Sequence, residues 1–528
     1  MQIVSFLTFT LSVAIITYIL SRKKGKETAD GYFLGGRSLT GVVIAGSLLL
    51  TNLSTEQIVG LNGAAYREGI LVMAWETLAA IAMVLTAIIL LPKYLKGGIA
   101  TIPQFLEKRY DKTTKTITSA LFLSGYMIVL LPIVLYSGAL ALSTMFDVSG
   151  LLNVSQTTAL WITVWGIGIT GSIYAIFGGL KAVAVSDTIN AVGLFIGGAL
   201  IPVFGLMAIG SRNILKGIDV LFRSHPEKFN IVGESSASVP FSTIFTGMML
   251  VQLFYWGTNQ AIIQRALGAR DLKEGQKGLL YAAFVKMLGP FIVVLPGIIA
   301  FHMFGGTLAN PDQAYPMLVN RVLPASLLGF FAAALFGAIL SSFNSAVNSS
   351  VTLFSLDIYK THINRNADEK QTVRAGKIYG FILAVMSMSI APLIAKAPHG
   401  LFGYLQEVNG CYSIPILTII LVGIFTKYVP AIAAKIAILS GVILYSISQF
   451  VLKPYVFGPE NYPHYLHVMA ILFVLNVAIM VVVGKVIPRG EAYDQAFTHD
   501  VDISPWRYLK IVSVGVSAIA VGIYIFFS

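Results

Sequence analysis

The sequence predicts an all-α integral membrane protein of about fourteen transmembrane helices. Three observations predict it. Of 528 residues, 56% are hydrophobic and only 11% charged, with a mean hydropathy of +0.79, whereas a soluble chain carries about 25% charged residues. The apolar runs reach the ~20 residues of a membrane helix, well beyond the ~10 of a barrel strand. The gaps between runs alternate between basic and nearly uncharged.

Taken in order, the runs cover roughly 2–20, 39–62, 70–95, 116–146, 156–177, 185–210, 242–265, 277–304, 325–356, 375–395, 401–425, 429–452, 464–486 and 508–527. The first is too long for a signal h-region and lacks a small-residue cleavage site. The longest gaps are about 211–241 and 357–373, and no linker splits the chain, so residues 1–528 read as a single transmembrane domain. Arg22, Lys23, Lys24 and Lys26 follow the first run. Lys93, Lys96, Lys108, Arg109, Lys112 and Lys115 follow the third, Arg265, Arg270, Lys273 and Lys277 the seventh, and Lys360, Arg365, Lys370 and Arg374 the ninth. By this reading about 25 Lys and Arg lie on one side and about 8 on the other, so the positive-inside rule puts the basic loops in the cytoplasm and both termini outside. The expected location is a plasma membrane of the bacterial inner-membrane kind, with the lipid bilayer as partner. The net charge of +12 is then a topology signal and calls for no nucleic acid. Cys411 is the one cysteine, which excludes a disulfide framework. No Walker A, H-E-x-x-H or G-x-S-x-G pattern is present. Neither enzyme chemistry nor ATP drive is expected, and no obligatory protein partner is evident.

Polar residues inside the runs are the exceptions that need a purpose, because a charge at a helix centre costs about 2.5–3.5 kcal/mol on insertion scales. Thr51-Asn52-Leu53-Ser54-Thr55-Glu56-Gln57 interrupts the second run and reads as a discontinuous helix whose freed carbonyls line a site. Depths counted at 1.5 Å per residue put Gln57, Glu76, Gln252, Lys286 and Gln406 between the midplane and the outer surface. Together they offer amides, a carboxylate and an ammonium, the mixture that a polyhydroxyl ligand needs. Tyr255 and Trp256 add flat faces for a sugar ring. The same positions fit a structural Glu76–Lys286 ion pair with helix-bridging glutamines. Ala338, Ser341 and Ser342 share one helix face. With the Leu50 and Leu53 carbonyls they would give a monovalent cation about five oxygen ligands, although serines in membrane helices also bond to carbonyls one turn back. Asp187 fits either an exit for a cation or an acidic residue favoured by a helix N-terminus. Glu56 has no evident role.

Gly31-Tyr-Phe-Leu-Gly-Gly-Arg-Ser-Leu, Thr51-Asn-Leu-Ser-Thr-Glu-Gln, Phe254-Tyr-Trp-Gly-Thr-Asn-Gln-Ala-Ile-Ile-Gln-Arg and Thr352-Leu-Phe-Ser-Leu-Asp-Ile-Tyr-Lys resemble the sodium/solute symporter family, most closely its sodium/glucose and sodium/galactose branch, over essentially the whole chain. The resemblance implies a LeuT-type 5+5 inverted repeat, about 39–210 and 242–425, with discontinuous second and seventh spans. The peripheral helices would be 2–20, 429–452, 464–486 and 508–527. It implies sugar ligands Gln57, Glu76, Lys286 and Gln406, with Gln252 one methylene longer than the asparagine of the galactose-type pattern. Tyr255, bonded to Asn52, would be the inner gate, and Trp75 and Phe402 the outer lid. Sodium would be held by the Leu50, Leu53 and Ala338 carbonyls and the Ser341 and Ser342 hydroxyls, and would leave by Asp187. Phe343 and Asn344 offer no hydroxyls for a second sodium site. The implied function is sodium-coupled import of a hexose such as glucose or galactose by alternating access. Sodium symport of sialic acid, an amino acid or a vitamin is the alternative, with a sodium-independent channel or sensor as a further one.

Overall fold

The computed structural model describes residues 2–21, 33–396 and 401–528. The Arg22–Lys26 cluster and the first two residues of the Gly31-Tyr-Phe motif lie outside them. The described residues are helical, and their only β contact is an isolated bridge between Leu39 and Ala269.

The principal helices of the first half are α1 (Gln2–Ser21), α2 (Gly41–Asn52), α3 (Thr55–Glu68), α4 (Ala74–Leu85), α5 (Lys112–Gly125), α6 (Leu131–Phe146) and α7 (Gln156–Ile209). The amphipathic α8 (Ile214–Ser224) follows. Then come α9 (Gly247–Gly257), α10 (Gln260–Leu267), α11 (Leu272–Lys286), α12 (Leu295–Phe304), α13 (Ala325–Leu353), α14 (Glu369–Ile390) and α15 (Leu401–Phe425). The chain ends in α16 (Ala431–Ile447), α17 (Tyr465–Val486) and α18 (Leu509–Phe527).

Ten helices among the described residues are long and apolar enough to cross a membrane, or eleven if the pair Leu272–Lys286 and Gly289–Phe304, bent by 50°, is one span. This differs from fourteen for physical reasons. The expected span 242–265 is cut into α9 and α10, each short of a bilayer's thickness. Likewise α2 stops at Asn52, and α3 runs on into the next span. The expected spans 156–177 and 185–210 form one helical run, α7, whose packing requires a bend. Gly171 lies against Phe343 and Gly197 against Phe331. A straight helix would rise about 39 Å between those glycines, while α13 rises about 18 Å between the two phenylalanines.

Two breaks organise the centre. Leu53 and Ser54 leave helical geometry between α2 and α3 (ψ 52° and 176°). The break is therefore two residues wide, narrower than the seven-residue stretch suggests, because Thr55, Glu56 and Gln57 already belong to α3. Thr258 and Asn259 separate α9 from α10. There the Asn259 side chain accepts from the Ala261 N–H at 3.0 Å and from the Tyr126 hydroxyl at 2.7 Å, which satisfies backbone freed at the break. Where α3 ends, Gly69 sits at φ +80°, and a Cβ there would lie 2.3 Å from the Lys228 carbonyl oxygen, so only glycine fits the turn.

A strap between α17 and α18 ties several basic gaps to one face. Tyr493 N donates to Lys427 O at 3.0 Å and Thr498 N to Lys96 O at 3.2 Å, while Asp502 O accepts from Leu272 N at 2.9 Å. The gaps at Lys96, Leu272 and Lys427 therefore share a side.

Candidate functional site

A small polar cavity lies between the α2–α3 break and the body of α9. Asn52 ends α2, Gln57 lies in the first turn of α3 and Trp75 in the first turn of α4. Val251, Gln252 and Tyr255 come from α9, and Phe402 and Gln406 from α15; these eight residues line it. Its volume is about 30 Å³, room for about one or two waters and far less than a sugar needs. The Trp75 and Phe402 rings close one end edge to face, with centroids 5.2 Å apart at 84°. Tyr255 and Asn52 face the same space. The expected lid, gate and amide residues thus meet around one space.

Glu76 and Lys286 stand behind the wall rather than in it. The Lys286 ammonium donates to Glu76 Oε1 at 2.6 Å, with the two side chains 1% and 0% exposed. It also donates to Asn52 Oδ1. Gln57 Nε2 donates to the same Glu76 oxygen at 2.5 Å. One chain of charge-assisted bonds therefore links the α2–α3 break to α4 and α11. Glu76 Oε2 has no partner and faces Gly289, where a Cβ would lie 2.1 Å away. The ion-pair alternative is what the structure contains, and Gln57 joins it to the cavity.

Two positions differ from expectation. Trp256 is fully buried and does not line the cavity, since neighbours on a helix point about 100° apart. Gln252 lines the cavity with both amide atoms engaged, Nε2 donating to Trp75 O at 2.7 Å and Oε1 accepting from Trp256 Nε1 at 3.2 Å. It braces the lid residue's backbone. Gln252→Leu should therefore strand two buried polar groups and lower stability by about 1–3 kcal/mol for each. Thermal unfolding in detergent checks this, and an unchanged midpoint would refute the brace.

A second constellation surrounds the end of α2. The Ser342 hydroxyl donates to Thr51 O at 2.9 Å, across to another helix rather than one turn back. Thr51 Oγ1 lies 3.3 Å from Ser341 Oγ and 3.1 Å from Ser345 Oγ. Leu50, Leu53 and Ala338 are at most 1% exposed around it. Asp187 is 2% exposed and sits in the interior of α7, which removes the helix-start reading. It accepts from the Ser47 hydroxyl at 2.7 Å, and Ser341 lies beside it. Arg265, expected in a cytoplasmic loop, is instead a fully buried residue of α10. Its Nε donates to Ser47 Oγ at 3.2 Å and its Nη2 to Ser345 Oγ. Sequence reasoning missed Thr51, Ser345, Ser47 and Arg265 as a group; the one available signal was a charge adjoining an apolar run. No group of three His, Cys, Asp or Glu able to hold a metal occurs among the described residues. The oxygens gathered here are hydroxyls and carbonyls, suited to a hard monovalent cation carried as substrate.

Comparison with known proteins gives the family and the fold. The chain is 48% identical to the uncharacterized symporter YidK of Escherichia coli (strain K12), over 99% of this chain and 90% of that protein. It is 32% identical to the sodium/glucose cotransporter of Vibrio parahaemolyticus, over 84% of each, and 29% identical to the sodium/myo-inositol cotransporter of Homo sapiens, over 91% of this chain and 72% of that one. Among solved structures, a substrate-bound, outward-open Na+-coupled sialic acid symporter superposes with a TM-score of 0.77 at 18% identity, over 93% of this chain and 98% of that one. A nucleobase-cation-symport-1 family transporter in a closed conformation superposes with a TM-score of 0.54 at 13% identity, over 91% and 100%; both likenesses show the fold. The model of the Sodium:solute symporter family matches residues 32–441, and the chain belongs to that family.

Proposed function

We propose that the protein imports a neutral polyhydroxyl solute, a hexose such as glucose or galactose, together with sodium by alternating access. The observation that carries this reading is the polar cavity beside the α2–α3 break, with the neutralised Glu76–Lys286 pair behind it. A carboxylate ligand would need an unpaired cation, and Lys286 already has its anion. Hydroxyls need the mixed donors and acceptors of Gln57 and Gln406. The sodium/glucose and sodium/myo-inositol cotransporter relatives support a polyol over an acidic sugar. Sodium binds at Leu50, Leu53, Ala338, Ser341 and Ser342, and Thr51 already bridges this set. Bound there it holds the α2–α3 break against α13. Sugar closes Trp75 on Phe402, and release proceeds past Tyr255 while sodium leaves by way of Asp187. The architecture that accommodates this is fourteen spans with repeats at 39–210 and 242–425, the breaks falling in the first helix of each, and both termini outside.

One sodium crossing 100 mV releases about 2.3 kcal/mol, and a tenfold gradient adds about 1.4 kcal/mol. The total of roughly 3.7 kcal/mol permits about 500-fold accumulation at one-to-one coupling. Proteoliposome uptake of labelled hexoses and myo-inositol, with and without a sodium gradient, tests the reading; sodium-independent equilibration would sink it. Ser342→Ala should lose most of the sodium dependence while the protein stays folded, and unaltered sodium dependence would remove the ion site.

A further inference from the structure

A second cavity, of about 360 Å³, lies beneath α8 and is lined only by apolar side chains. It presents no polar side chain to a sugar or an ion. Its floor includes Met73, Val294 and Met287, at 1%, 1% and 8% exposure. Met287 directly follows Lys286, and Met73 precedes the turn that carries Trp75 and Glu76. The cavity thus shares a wall with the buried ion pair.

Its mouth is apolar too. Ile218, Phe222 and Phe291 are 37–41% exposed, so it opens toward hydrocarbon. The roof, α8, sets Ile214, Ile218 and Leu221 on one face and Lys216, Asp219 and Arg223 on the other, the pattern of a helix lying in the membrane interface. Gly217 seats it against α7, where a Cβ would come within 2.2 Å of Leu206 O. Arg223 is paired with Asp219 at 2.7 Å. Arg212 and Lys216 are exposed and have no ion pair among the described residues. An apolar slot opening into the bilayer, beneath an interfacial helix with two uncommitted cations, suits an alkyl chain with an anionic head.

We infer that this cavity takes an acyl chain of an anionic phospholipid, with its phosphate held at the interface by Arg212 and Lys216, and that the chain braces the wall carrying Glu76 and Lys286. The bracing rests on the transport reading; the lipid site does not.

Native mass spectrometry of the full chain tests the site, with phosphatidylglycerol or phosphatidylcholine of equal chain length added to the detergent-solubilised protein. One phosphatidylglycerol should be retained in preference to phosphatidylcholine. Arg212→Gln and Lys216→Gln should each weaken retention about fivefold. Leu206→Trp should fill the cavity and abolish retention. Ile218→Asp, at an exposed rim position, should do the same without altering the packed interior. Equal retention of both lipids overturns the head-group assignment, and retention unchanged in Leu206→Trp and Ile218→Asp overturns the cavity as the chain's location. Sodium-driven uptake should be faster in phosphatidylglycerol vesicles for the wild type and equal in both lipids for Ile218→Asp. Specific retention with lipid-independent uptake would overturn the bracing alone, whereas loss of sodium-driven uptake in every lipid would count against the transport reading.

Discussion

Lys286→Met is expected to lower the unfolding free energy by about 3–5 kcal/mol and to abolish uptake. It leaves the Glu76 carboxylate fully buried with Gln57 as a remaining donor, and a buried charge stripped of its counter-ion costs that much. Glu76→Gln is expected to cost a similar amount, because it strands the ammonium. The informative variant is the double one. Glu76→Gln with Lys286→Met removes both charges, and replacing a buried pair by groups of similar volume is often close to neutral. Stability should return to within about 1–2 kcal/mol of wild type, while uptake stays lost, because Gln57 and Asn52 no longer have charged partners to fix them at the cavity. Thermal unfolding in detergent and hexose uptake in proteoliposomes read the two effects separately. A double variant as unstable as either single would show that the charges do not compensate one another. A double variant that transports normally would reduce the pair to scaffolding and withdraw both residues from the proposed site.

The site was legible in the sequence to the extent that its residues are costly in lipid. Gln57, Glu76, Gln252, Lys286 and Gln406 stand out in apolar runs, and of these Gln57, Gln252 and Gln406 line one cavity while Glu76 and Lys286 pair behind it. Height carries no information about rotation. That is why Trp256 was paired with Tyr255 as a sugar platform, although only Tyr255 faces the cavity. Hydrogen bonding is equally hidden, so Gln252 read as a free amide when both its atoms are committed to Trp75 and Trp256. The width of the α2–α3 break was overestimated because polar residues can continue a helix wherever a cavity or a partner satisfies them, as Gln57 does on Glu76. Arg265 was the least legible. A cation next to an apolar run resembles the end of a span, and its partners Ser47 and Ser345 lie 218 and 80 residues away in sequence.

Arg265 carries the second large effect. Its guanidinium, Ser47, Asp187, Ser341, Thr51 and Ser345 form a buried ring of polar groups joining α2, α7, α10 and α13, hydrogen-bonded at every step except that from Asp187 to Ser341. Planar donors pointing in several directions suit this position, and an ammonium would not reproduce them. Arg265→Met should destabilise the protein by about 3–5 kcal/mol and leave Asp187 with no compensating cation in the ring. If sodium passes this carboxylate, the sign of the second effect is fixed. An uncompensated anion beside Ser341 attracts a monovalent cation held there, and every ~1.4 kcal/mol of added attraction is about tenfold in affinity. Half-saturation by sodium should therefore fall, and turnover should slow because release is harder. Asp187→Asn should act in the opposite direction, since it leaves the buried guanidinium unbalanced and repels the ion. The double variant restores neutrality and should return the sodium constant toward that of wild type, even though the ring stays broken. Sodium titrations of uptake for the three variants decide the matter. Opposite shifts in the single variants with recovery in the double are what electrostatics requires, whereas a shift of the same sign in all three would mean that the ring holds helices together and has no part in the path of the ion.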